Sequence, residues 1–242
     1  MRLDRYLHDL GFGSRKDIDR LLKKQRVTVD GNIVKQGAQA VTAESAVAVD
    51  GEVLAYEPTV WLMLNKPAGV ITATKDAHDK TVMDLLPERF ARMQVVSVGR
   101  LDKDTTGLLL LTNDGVLAHR LMRPKSQVMK TYDIIYEETL ATDAVERLAQ
   151  GIDLGDFTTA PAILALPEEG HARLSISEGK FHQVKRMIHE VGGVVTALRR
   201  VAIASLILDE TLAPGEWRLL TAEEINGLRE EAEGATTSHE SL

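Results

Sequence analysis

The densest run of chemically capable residues is Gly99-Arg100-Leu101-Asp102-Lys103-Asp104-Thr105-Thr106-Gly107. This charged loop runs straight into an apolar strand, Leu108-Leu109-Leu110-Leu111-Thr112. Such an order sets a carboxylate at the edge of a rigid core, where a catalytic group is well held. Three readings fit the residue types. In the first, Arg100, Asp102, Lys103 and Asp104 pair locally as ordinary surface charges. In the second, the Asp102-x-Asp104 spacing serves a metal, although hard cations want several oxygen ligands or a bound phosphate. In the third, one carboxylate acts alone as nucleophile or electrostatic stabiliser. No P-loop glycine pattern supports phosphoryl transfer. His182 and His189 lack further ligands at suitable spacing, so no metal centre is expected. The chain has no cysteine, which removes thiol nucleophiles, disulfides, iron–sulfur clusters and cysteine-ligated zinc.

The elements around this loop are legible from hydrophobic period and turn chemistry. Strands are expected over 60–64, resuming at 70–72, and over 94–98, 108–112, 132–136, 174–177, 198–201, 206–208 and 217–220. Helices are expected over 81–86, 115–122, 142–150 and 181–191, the last closed by Gly192-Gly193, with Phe181, Val184, Ile188 and Val191 as its buried stripe. Thr221, with Glu224 three residues on, caps a final helix. Many strands joined by turns with few helices between them imply an α+β fold with a mixed, mainly antiparallel sheet and flanking helices. Tyr56-Glu57-Pro58-Thr59 reads as a linker, giving domains at 1–57 and 60–228.

The N-terminal stretch is a small basic module. Leu3, Leu7 and Leu10 recur at helical spacing until Gly11 and Gly13. Ser14 and Asp17 form a capping-box pattern before a second helix carrying Ile18, Leu21 and Leu22. Asp30-Gly31 and Asp50-Gly51 mark two tight hairpins. Residues 1–35 hold nine Lys or Arg against five Asp. The net charge of −7 arises from residue 209 onward, where nine acidic residues face two basic ones. The acidic balance therefore leaves room for a basic RNA-facing surface elsewhere. Residues 229–242 read as a disordered acidic tail. No apolar run approaches the ~20 residues of a membrane span, and the N-terminus lacks the apolar block of a signal peptide. A cytoplasmic protein is the expectation, with no membrane partner.

The first 35 residues, "RLDRYLHDLGFGSRKDIDRLLKKQRVTVDGNIVK" from Arg2 onward, resemble the S4 RNA-binding domain. The resemblance implies that Arg2, Arg5, Ser14, Arg15, Lys16 and Arg26 face structured RNA, by phosphate contact and shape reading. "GRLDKDTTGLLLLTNDG" looks like the central motif of the pseudouridine synthases. "NKPAGV" at 65–70, "KTY" at 130–132 and "EGKFHQVKRM" at 178–187 follow in the order of the branch that carries an S4 domain. The string "LAPGEWRLLTAEEI" favours the members acting on small-subunit rRNA. Four strings in register behind an S4-like module are strong evidence, covering the chain to about residue 228.

The resemblance implies the pseudouridine synthase fold and an isomerisation of a uridine in 16S ribosomal RNA, in an assembling small subunit, by a monomer without a cofactor. It makes Asp102, not Asp104, the catalytic carboxylate, either adding at C1′ or stabilising positive charge on the sugar. Tyr132 would stack on the flipped uracil, and Lys185 would pair with Asp102. Arg100 and Lys66 would contact phosphate or help extrude the base. Two alternatives stand beside this: the same chemistry on a large-subunit rRNA uridine, and a non-catalytic RNA-binding assembly factor.

Overall fold

A computed structural model describes residues 1–42 and 44–237. The chain divides into two compact units, one of Met1–Val60 with Leu86–Val96, the other of Trp61–Leu85 with Ser97–Leu242.

The first unit begins with α1 (Leu3–Asp9) and α2 (Arg15–Lys23), followed by β1 (Val27–Val29), β2 (Asn32–Ile33), β3 (Val47–Val49) and β4 (Glu52–Val53). The Ser14 hydroxyl accepts from the Asp17 N–H, and the Asp17 carboxylate accepts from the Ser14 N–H, closing the capping box. Both hairpin turns have positive φ at their two central residues, Asp30 and Gly31, Asp50 and Gly51. That is the twist two-residue hairpins need, and Asp-Gly supplies it with least strain. The four strands form an antiparallel sheet in the order β2-β1-β3-β4. Leu3, Leu7, Ile18, Leu22, Val27 and Val47 form its core.

This unit also takes in a piece of chain that the linker reading assigned to the larger domain. β5 (Trp61–Lys66) opens the second unit, but the segment Leu86–Val96, with α3 (Glu88–Arg92), groups with the first. Gly11 explains the approach. A Cβ at this left-handed position would stand 2.7 Å from the Arg89 carbonyl oxygen and 2.9 Å from the Met93 side chain.

The second unit continues with β6 (Val96–Val98), β7 (Thr106–Thr112), α4 (Gly115–Met122), β8 (Lys130–Glu137), α5 (Ala144–Gln150), β9 (Ile163–Glu168) and β10 (His171–Ile176). It ends with α6 (Gln183–Glu190), β11 (Val194–Ile203), β12 (Leu206–Ile207), β13 (Trp217–Leu219) and α7 (Ala222–Thr237). Among the described residues the sheet has nine strands, in the order β13-β5-β7-β11-β8-β10-β9, with β12 and β6 off this path. Only β7 and β11 run parallel; the other pairs on the path are antiparallel, so the sheet is mixed and mainly antiparallel. β5 and β7 are buried along almost their whole length, as their apolar runs, residues 61–64 and 108–111, require. Trp61, Met63, Leu108 and Leu110 pack with Leu117 and Leu121 of α4 and Leu228 and Ala232 of α7. α6 packs on β11 and α5 on β9.

Several expectations change. Residues 70–72 do not resume a strand; Ile71 makes only an isolated bridge to Thr81. α3 and β9 are elements the sequence pattern did not reveal. α6 starts at Gln183 rather than at 181, because His182 sits in the left-handed region, φ 51° and ψ 24°. Phe181 therefore leaves the expected buried stripe and is 76% exposed. The acidic stretch expected to be disordered from 229 is helical to Thr237. Ile225, Leu228 and Ala232 recur at helical spacing amid the acids and pack against the core. Residues 238–242 of that stretch lie outside the described residues.

Candidate active site

The charged loop after β6 is held from beneath by Lys66. Its side chain is fully buried at the end of β5. The amino group donates to the carbonyl oxygens of Thr105 at 2.8 Å, Asp102 at 3.0 Å, Pro67 at 3.1 Å and Lys103 at 3.4 Å. Burial pushes its pKa down to about 8, against the opposing attraction of Asp104 and Asp102. The expectation that Lys66 contacts RNA phosphate does not fit this placement: its side chain is buried and its donors are committed to backbone carbonyls. Thr72, also buried, clips the same loop by exchanging hydrogen bonds with the N–H and C=O of Leu101. The Thr105 N–H closes a turn onto the Asp102 carbonyl, and the Gly69 N–H binds that of Lys103.

Gly107 follows at once, with φ +97°. A Cβ there would stand 2.2 Å from the Arg200 carbonyl oxygen. Only glycine lets β7 come this close to β11 directly behind the loop. A turn pinned at three carbonyls and a glycine-tight strand crossing fix the direction in which Asp102 leaves the backbone.

The Asp102 carboxylate accepts no hydrogen bond among the described residues. Its Oδ2 lies 3.6 Å from His182 Nε2 and 3.8 Å from Lys185 Nζ. Its side chain is 32% exposed, so it is open to a ligand. Lys185 was expected to pair with Asp102, but its closer partner is Asp104, at 2.8 and 2.7 Å to the two carboxylate oxygens. That contact, chiefly, holds the Asp104 carboxyl below its ordinary range. Asp104 therefore orients the ammonium, and Asp102 keeps its lone pairs free. Asp102, Tyr132, Lys185, Arg100 and His182 line one pocket of about 70 Å³. Tyr132 reaches it from β8, is nearly buried, and makes no hydrogen bond through its hydroxyl among the described residues. Arg100 is exposed and carries no ion pair among the described residues. No group of three or more His, Asp or Glu placed to hold a metal ion occurs among the described residues.

The residues singled out in the basic module have different fates. Arg2 pairs with Asp4, Arg5 with Asp9 and Arg26 with Asp50. Ser14 is engaged in the helix cap. Arg15 and Lys16 are exposed and have no ion pair among the described residues, so they keep their full charge for a polyanion. Sequence reasoning missed the structural use of Lys66, Thr72 and Asp104, and the place of His182. The one available signal was a lysine closing the apolar run Trp61-Leu62-Met63-Leu64.

A carboxylate on a pinned loop, open in a small pocket and preceded in the chain by a small basic module, has the make-up of an enzyme acting on a polyanion. Residues 60–190 match the RNA pseudouridylate synthase family and residues 1–47 match the S4 domain. The chain belongs to that family: it is an RNA pseudouridine synthase with an N-terminal S4 domain. The ribosomal small subunit pseudouridine synthase A of Escherichia coli (strain K12) is 42% identical over 228 residues, covering 93% of this chain and 98% of its own. The uncharacterized RNA pseudouridine synthase YtzG of Bacillus subtilis (strain 168) is 42% identical over 236 residues, 95% of this chain and 99% of its own. A solved pseudouridylate synthase superimposes with a TM-score of 0.67 at 35% identity, covering 94% of this chain and 99% of that one. No described helix is long and apolar enough to cross a membrane.

Proposed function

We propose that this enzyme isomerises one specific uridine of 16S ribosomal RNA to pseudouridine, with Asp102 as the catalytic carboxylate. The observation that carries the role of Asp102 is its state in the pocket: unbonded, partly open, and flanked by His182 and Lys185 at 3.6 and 3.8 Å. The choice of RNA follows the Escherichia coli relative, whose name specifies the ribosomal small subunit.

In the reaction the N1–C1′ bond breaks, the uracil turns over, and C5 bonds to C1′. The proton on C5 is lost and N1 gains one, so nothing is oxidised and nothing is added. Asp102 acts at C1′, as a nucleophile or against developing positive charge. Tyr132 offers its ring to the uracil, and Lys185, oriented by Asp104, supplies the counter-charge. Arg100 faces phosphate at the pocket mouth. Arg15 and Lys16, with Arg2, Arg5, Ser14 and Arg26, form the RNA-facing side of the S4 module. A uridine must leave its stack to enter the pocket, at a cost of a few kcal/mol that is least in loosely structured RNA. This favours action on an assembling small subunit; the enzyme is further proposed to work as a monomer in the cytoplasm.

The test is pseudouridine mapping of total rRNA from cells with and without the gene, complemented by wild type or Asp102→Ala. The expected result is one lost small-subunit site, restored by wild type alone. Loss of a large-subunit site would move the target, and restoration by Asp102→Ala would remove Asp102 from the chemistry.

A further inference from the structure

We infer that Phe181, stacked on His182, is a platform for an unpaired RNA base next to the target uridine, at the mouth of the Asp102 pocket. Of the ten aromatic residues in the chain, Phe181 is the only one more than half exposed, at 76%. An exposed phenyl ring has no packing role to explain it, and its position is enforced by the backbone. Were 181–191 one helix, Phe181 would join Val184 and Ile188 on the buried side. Instead His182 takes a left-handed conformation, unusual for a residue with a side chain, and turns Phe181 outward. The two rings then lie 3.8 Å apart, only 18° from parallel. His182 links the stack to the chemistry, with Nε2 3.6 Å from Asp102 Oδ2.

The segment under the stack is rigid. Buried Gln183 accepts from the Lys180 N–H at 3.0 Å and donates to Glu178 Oε2 at 3.0 Å. The same Glu178 oxygen accepts from the Ala160 N–H at 2.9 Å. A ring held this way loses little freedom when a ligand settles on it.

The occupant follows from size and charge. The pocket is small, about 70 Å³, so the target uracil takes it and a second base stays outside, at the rim. Flipping the target leaves the flanking base with one face unstacked, and an exposed aromatic ring replaces that stack. The pocket is bordered by Arg100 and Lys180, exposed cations that suit the intervening phosphates better than an apolar protein partner.

The inference rests on the Asp102 pocket being the uridine site, and the experiment separates the two. Wild type, Phe181→Leu and Phe181→Trp are compared on a small-subunit rRNA fragment containing the mapped uridine, with 2-aminopurine on its 5′ or its 3′ side. Wild type and Phe181→Trp are expected to quench the probe on one side. Phe181→Leu, equally apolar but unable to stack, is expected to lose the quench. Its KM should rise about 5- to 150-fold, the range of one base–aromatic stack, with kcat far less affected. An unchanged KM and quench in Phe181→Leu, or no quench on either side by wild type, would overturn the inference. If the quench follows the ring while wild type forms no pseudouridine in the fragment, the platform stands and the proposed target fails.

Discussion

Replacing Lys66 by Met keeps the length of the side chain and deletes its charge and three donors. Three carbonyl oxygens lie within 3.1 Å of the amino group. At about 1.5 kcal/mol for each hydrogen bond from a charged donor, their loss amounts to about 4–5 kcal/mol. Against this, the variant is relieved of a buried charge. The fall in pKa from the ordinary lysine value of 10.5 to about 8 corresponds to about 3.5 kcal/mol, at about 1.4 kcal/mol per pH unit. The net loss of global stability is then only about 1 kcal/mol. The effect on catalysis is larger, because the Asp102 turn loses its strut. A displacement on the order of 1 Å lowers kcat about 100-fold. Tritium release from RNA labelled at uridine C5 measures kcat, filter binding measures affinity, and urea unfolding measures stability. The expected pattern is a large fall in kcat, near-normal RNA affinity and a small shift in midpoint. The wild-type amine also binds fewer protons than the unfolded chain between pH 8 and 10.5, so its contribution to stability rises across that window. The Met variant lacks that arm. A variant with kcat within threefold of wild type would refute the strut reasoning.

Gly107→Ala is expected to cost about 2–4 kcal/mol in urea unfolding, since its Cβ meets a backbone oxygen at 2.2 Å and φ is +97°. Asp209 is held down to about 2, first by the Thr211 hydroxyl and N–H and then by Arg218, which also binds Glu224. The folded pKa being below the unfolded one, this stability is present above about pH 4 and is lost as pH falls toward 2. Asp209→Asn should flatten that arm of the acid unfolding curve. Arg15→Gln with Lys16→Gln should lower the slope of log affinity against log salt by about 2, and Arg26→Gln, already paired with Asp50, by less.

The small module was legible in the chain because its signals are local. A capping box, two Asp-Gly turns and a leucine period each act within a few residues, and each appears where the sequence places it. The loop at 99–107 was legible for the same reason: a charged run abutting an apolar strand is visible without coordinates. The acidic stretch after 229 has the charge density of a disordered tail, yet the helical spacing of Ile225, Leu228 and Ala232 against the core makes it helix. α3 was missed, and its place with the first unit depends on Gly11 and Arg89, far apart in the chain.

The sequence by itself determined which residues could do the chemistry, the order of most elements, and the RNA-modifying character of the enzyme. Tertiary structure alone decided what each charge is for. Lys66 and Lys185 are the same residue type, yet one is sealed beneath four carbonyl oxygens and the other is turned toward two carboxylates. Asp102 and Asp104 are two positions apart, yet one is bonded to an ammonium and the other is left open. Side-chain type fixes what a group can donate or accept, but burial and the partners brought from distant strands fix whether those bonds are already spent.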